Sequence, residues 1–124
     1  GGSLDAGLDT LLIGRGAGGP LSSGSENIFM GFDAGGPSGS SANSSFGVAI
    51  GSNAISAEAN GVALGSGARV PVGATNSVAI GAGTVATNPG TIILGDPLAP
   101  LNVGIGTNAP TARLSVEKGA GETG

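Results

Sequence analysis

Seven times the chain writes a large aliphatic residue, a variable residue, a second large aliphatic residue and a glycine. The copies are TLLIG, NIFMG, GVAIG, GVALG, SVAIG, TIILG and NVGIG, closing at Gly14, Gly31, Gly51, Gly65, Gly81, Gly95 and Gly106. In the first six, the leading aliphatic is Leu11, Ile28, Val48, Val62, Val78 or Ile92, and the trailing one is Ile13, Met30, Ile50, Leu64, Ile80 or Leu94. Between them stand Leu12, Phe29, Ala49, Ala63, Ala79 and Ile93. Alternation with period two and mainly β-branched residues predicts a short strand in every copy.

Successive closing glycines are 17, 20, 14, 16, 14 and 11 residues apart. A strand–helix–strand unit needs roughly 30 residues, so a repeat of about fifteen cannot hold one. It can hold two short strands and two turns, which is one coil of a β-solenoid. In that coil the leading and trailing aliphatics are expected to line a narrow lumen as the structural core. They stack on their equivalents one coil away at about 4.8 Å. Gly14, Gly31, Gly51, Gly65, Gly81 and Gly95 suit corners, where the backbone turns with positive φ or approaches a neighbour closely. Alternation after the glycine, at residues 54–59 and 68–72, predicts a second strand, and Asn60-Gly61 and Asn76-Ser77 predict turns into the next phrase. A disordered Gly/Ser/Ala linker and an antiparallel sandwich are the competing readings. Seven in-phase aliphatic pairs speak against the linker, and sandwich strands do not normally share one phrase.

Composition removes most chemistry. With no Cys, His, Trp or Tyr among 124 residues, Ser-His-Asp and Cys-His catalysis are excluded, and the expectation is a non-enzymatic protein without a cofactor. A net charge of −4, with only four cations, argues against nucleic acid as a partner. No apolar run approaches the ~20 residues of a membrane span, so membrane insertion is not expected. The chain starts with Gly and is read as a piece of something longer.

The phrases FGVAIGSNA, NGVALGSGA and NSVAIGAGT resemble the head repeats of trimeric autotransporter adhesins, the YadA-like head. ENIFMGFDAG and LLIGRGAG are similar to related repeats of bacterial surface fibres and phage tail fibres, and NVGIGTNAPTARLSV resembles a segment that often follows such repeats in phage fibres. The resemblance covers about residues 8–116. It implies a left-handed parallel β-roll assembled as a homotrimer, extracellular, mediating attachment to a host receptor that is a glycan or a protein. The ending and the irregular early spacings favour a phage tail or receptor-binding fibre on a virion; the alternative is a bacterial adhesin on the outer surface.

One thin core is marginal at this size, so a second buried surface is expected. The middle row, Leu12, Phe29, Ala49, Ala63, Ala79 and Ile93, is predicted to point outward as a trimer interface. The expected organisation is a solenoid over residues 1–95, a cap or neck over 96–116 because DPLAP interrupts a step too short for a coil, and a flexible tail over 117–124. GGPLSSGSE and GGPSGSSANSS are predicted to bulge as surface loops and to contact the receptor. GRGAGG at residues 14–19 matches a dinucleotide fingerprint, but no helical pattern follows it, and the fingerprint needs a helix N-terminus. The acids are scattered without the repeated Asp of calcium-binding rolls, the threonines share no repeated position, and no metal is expected.

Overall fold

The structure, a computed structural model, describes residues 9–19, 24–36, 45–99 and 101–118. Ten short strands appear there in order: β1 (Leu11–Ile13), β2 (Ile28–Met30), β3 (Val48–Ile50), β4 (Ile55–Ser56), β5 (Val62–Leu64), β6 (Arg69–Val70), β7 (Val78–Ile80), β8 (Ile92–Leu94), β9 (Val103–Ile105) and β10 (Leu114–Val116). Among the described residues the protein is all-β, a parallel β-solenoid. Six phrase strands form one parallel sheet in the order β1-β2-β3-β5-β7-β8, in a register that places phrase on phrase: Ile28 pairs Val48, Val48 pairs Val62, Val62 pairs Val78. β4 and β6 pair in parallel as a second wall, which Val85 extends by a bridge to Arg69.

The coils are held by matched backbone ladders. Val48 N–H donates to the Gly61 carbonyl and Val62 N–H to that of Ser77, each at 2.9 Å, and Gly65 N–H donates to Ile50 at 2.9 Å. Past the corner, Asn53, Gly67 and Gly83 donate to Phe32, Ser52 and Ser66 one coil back at 2.8–2.9 Å. Every coil thereby satisfies the backbone groups of its neighbour, which is what lets a chain with few large side chains stay ordered.

The corner glycines meet two demands at once. Gly31, Gly51 and Gly65 have φ of +138°, +135° and +130°. A Cβ on any of them would lie 2.5–2.7 Å from the backbone carbonyl group of the next corner glycine. No side chain fits, and a residue other than glycine avoids that φ. A second left-handed column precedes each strand of the six-stranded sheet: Asp9, Glu26, Phe46, Asn60, Asn76 and Gly90, the five non-glycines at φ between +57° and +66°. Asn and Gly tolerate this conformation best, and the Asn60 amide donates to Asn76 Oδ1 at 2.9 Å across adjacent coils.

The core sits on the opposite side of the strands from the one the sequence predicts. Phe29, Ala49, Ala63 and Ala79, expected at an outward interface, are fully buried inside a single chain, with Leu12 and Ile93 packed against them. The expected core residues face out: Leu11, Ile13, Ile28, Ile50, Ile80, Ile92 and Leu94 are exposed, and Met30, Val48, Val62, Leu64 and Val78 are only partly covered. Lumen width is the reason. The third residue after each of the first five corner glycines, Ala17, Ala34, Ala54, Ala68 or Thr84, is also fully buried, so two walls of small side chains close on one another. A three-residue strand then turns one residue inward and two outward.

Size is balanced across the lumen. Where the middle residue is large, the facing wall is bare backbone: a Cβ on Gly35 would lie 2.6 Å from the Phe29 ring, and one on Gly18 would lie 2.7 Å from Leu12 Cδ2. Where it is Ala, the later coils place Ser56, Val70 and Ala86 inside, all fully buried. Buried polar groups are partnered. Asn27 Oδ1 accepts from Gly47 N–H at 2.8 Å, and the Ser77 hydroxyl donates to the Asn88 carbonyl at 2.8 Å.

Stacking stops after β8. The second residue past the corner must be left-handed and donate a backbone hydrogen bond, as Asp33, Asn53 and Gly83 do. In the coil that Gly95 closes, that residue is Pro97, which has no N–H and a fixed negative φ. Instead the chain folds into a short turn with an Asp96–Ala99 bridge, and Leu101 lies over Gly81 and Gly95. β9 and β10 pair only with each other. Residues 20–23 and 37–44, within the two predicted loops, and 119–124 of the predicted tail lie outside the described residues.

Candidate functional site: an apolar face outside the coil

The outer surface of the six-stranded sheet carries two uninterrupted apolar columns. Leading residues stack as Leu11, Ile28, Val48, Val62, Val78 and Ile92; trailing residues stack as Ile13, Met30, Ile50, Leu64, Ile80 and Leu94. Parallel pairing makes them columns, since in-register strands place equivalent residues side by side. Five steps of about 4.8 Å give a face roughly 24 Å long and two side chains wide. Leu11 is 49% exposed and Ile92 69% at the two ends, and even mid-face Ile50 and Ile80 remain 39% and 38% exposed. No charged residue interrupts it. Contiguous apolar surface on this scale is uncommon on a protein facing water and makes this face the candidate for contact with another molecule.

The corners that border the face are polar or bare. Before the strands come Thr10, Asn27, Gly47, Gly61, Ser77 and Thr91, and after them the corner glycines. Arg15 stacks on the Phe32 ring at 4.5 Å just past the first two corners.

Among the described residues, candidate chemistry does not assemble elsewhere. GRGAGG forms the corner of the first coil, with Ala17 in the lumen and no helix after it among the described residues. No group of three metal-ligating side chains comes together among the described residues. Glu58 instead accepts a hydrogen bond from Gly73 N–H at 2.9 Å, tying one outer turn to the next coil.

The buried row of Ala17, Ala34, Ala54, Ala68 and Thr84 is the facing wall of the lumen, which the phrase alone does not reveal. Its signal was present, because a small residue stands three places after the glycine in five consecutive coils. Comparisons with protein-family models, with curated proteins and with solved structures return no match.

Proposed function

We propose that this chain is a structural and adhesive segment of a homotrimeric extracellular fibre, most consistent with a phage tail or receptor-binding fibre that mediates host attachment. The observation that carries it is the pair of aliphatic columns, six side chains each, left facing water by a single chain. Burying the exposed part of each is worth on the order of 1 kcal/mol, so the face adds a second apolar gain to that of the lumen. Three copies around an axis parallel to the coil stack bring three such faces together over their whole length and close without leaving a face open. The left-handed winding implied by the phrase resemblance belongs to the same reading. The residues at the interface are then the leading and trailing aliphatics, and the middle row is each protomer's own lumen.

Attachment rests on the resemblance of the phrases to fibre repeats and on the absence of assembled catalytic chemistry among the described residues. The regular spacings of 14 and 16 between Gly51, Gly65 and Gly81 favour the second reading, the head of a bacterial trimeric adhesin. Because the chain has no cysteine, Ile50→Cys gives a single reporter at mid-face. Oxidative linking of Ile50→Cys chains, with no linking of Glu58→Cys on an outer turn, is expected; equal linking of both would overturn the assembly. Binding of the labelled assembly to intact bacteria tests attachment, and no binding to any surface would reduce the role to a scaffold.

A further inference from the structure

The strand pair β9–β10 repeats the bonding of the solenoid while standing apart from its sheet. Val103 N–H donates to the Arg113 carbonyl at 2.8 Å and Glu117 N–H to that of Ile105 at 2.9 Å, the same rungs that join successive coils. Gly106 fills the corner position, its Cβ direction blocked by the Glu117 carbonyl oxygen. Its apolar residues are again outward: Ile105 is 56%, Leu114 61% and Val116 65% exposed. A two-stranded ribbon with three residues per strand does not hold itself together in water. Yet Leu101, seated against Gly81 and Gly95, fixes its start to the last coil.

Charge says what covers it. In the six-stranded sheet of the solenoid, the positions just before and just after each strand are uncharged, Thr, Asn, Gly or Ser before and Gly after. In β10 they are Arg113 and Glu117, both exposed and of opposite sign at opposite ends of one strand. Strands run across the stacking direction, so three copies about an axis parallel to it set the C-terminal end of one strand beside the N-terminal end of the next. A cation at one end and an anion at the other then complement each other head to tail around the ring.

Resting on the trimeric reading above, we infer that β9–β10 is a lock that closes the trimer below the solenoid, its occupant being the same segment of two further copies. Leu114 and Val116 pack on their equivalents, Val103 and Ile105 continue the two columns, and Arg113 of each chain meets Glu117 of the next. The lock fixes which ends are level, which the uncharged solenoid face, repeating every coil, leaves free to slip by a whole coil.

The full chain, Leu114→Ser, Val116→Ser, Arg113→Glu, Glu117→Arg and the double reversal R113E/E117R are compared by sedimentation equilibrium and thermal melting over a hundredfold range of concentration. Both Ser variants change side chains exposed in the single chain, so a role confined to one protomer leaves them silent. The expected result is a trimer whose dissociation midpoint rises at least tenfold in each Ser variant and in each single reversal, and returns towards wild type in the double reversal. A trimer with unchanged midpoints in Leu114→Ser and Val116→Ser overturns the lock and leaves the trimer standing. Failure of the double reversal to restore overturns the charge pairing. A monomeric wild-type chain overturns the trimer, and the lock with it.

Discussion

Gly51 sits directly against Gly65: a Cβ built on Gly51 would lie 2.5 Å from the Gly65 carbonyl oxygen, and Gly51 also holds φ at +135°. Gly73 offers the comparison, since its φ is +94° and nothing lies within 4 Å of the Cβ direction. Gly73→Ala is therefore expected to cost only backbone strain, about 1 kcal/mol. Gly51→Ala adds a collision with backbone that cannot move without breaking the ladder, and should cost about 3 kcal/mol or more. Chemical denaturation of the two variants measures the difference, and equal losses would remove close coil approach as the reason for the corner glycines.

Inward and outward positions of one strand separate by substitution. Ala79→Asp places a carboxylate at a fully buried position of the lumen and should unfold the protomer at a cost of about 3 kcal/mol or more. Ile80→Asp, one residue on, reaches the outer face and should leave the coil intact while breaking the assembly. Circular dichroism together with mass in solution distinguishes them: loss of strand signal in Ala79→Asp, and retained signal at one-third mass in Ile80→Asp. Loss of fold in both would return the aliphatic columns to the interior.

Phe46 occupies a left-handed position, φ +61°, that the following coils fill with Asn60, Asn76 and Gly90. The residue is 52% exposed. Phe46→Asn should stabilise the protomer by about 1 kcal/mol by removing that strain, seen as a higher melting temperature. A lower one would mean that the ring contributes buried contact in the assembly.

Strand positions and register were open to reading because Gly14, Gly31, Gly51, Gly65, Gly81 and Gly95 mark the same corner in every coil, and each phrase strand begins three residues before one of them. Side-chain polarity of the strand was not. Alternation divides Val62 and Leu64 from Ala63 but does not say which set is inside, and size suggested the larger set. What decides is the distance to the opposite wall, set by Ala54 and Ala68 beyond the corner, and that distance belongs to the closed coil rather than to the phrase. The stop at Pro97 was visible as a short step, while its cause, a left-handed donor position that proline cannot occupy, needed the ladder of Asn53, Gly67 and Gly83. The face proposed to bind was thus named residue by residue but given the wrong role.

Sedimentation equilibrium of the purified chain, at micromolar concentration and without cross-linker, decides whether the exposed columns are an interface between copies. The arrangement argued above requires a single species at three times 11.4 kDa, converted to one folded species near 11.4 kDa by Leu64→Lys on the outer face. A wild-type chain that sediments as a folded monomer, with Leu11, Ile50 and Ile80 open to water, would contradict it.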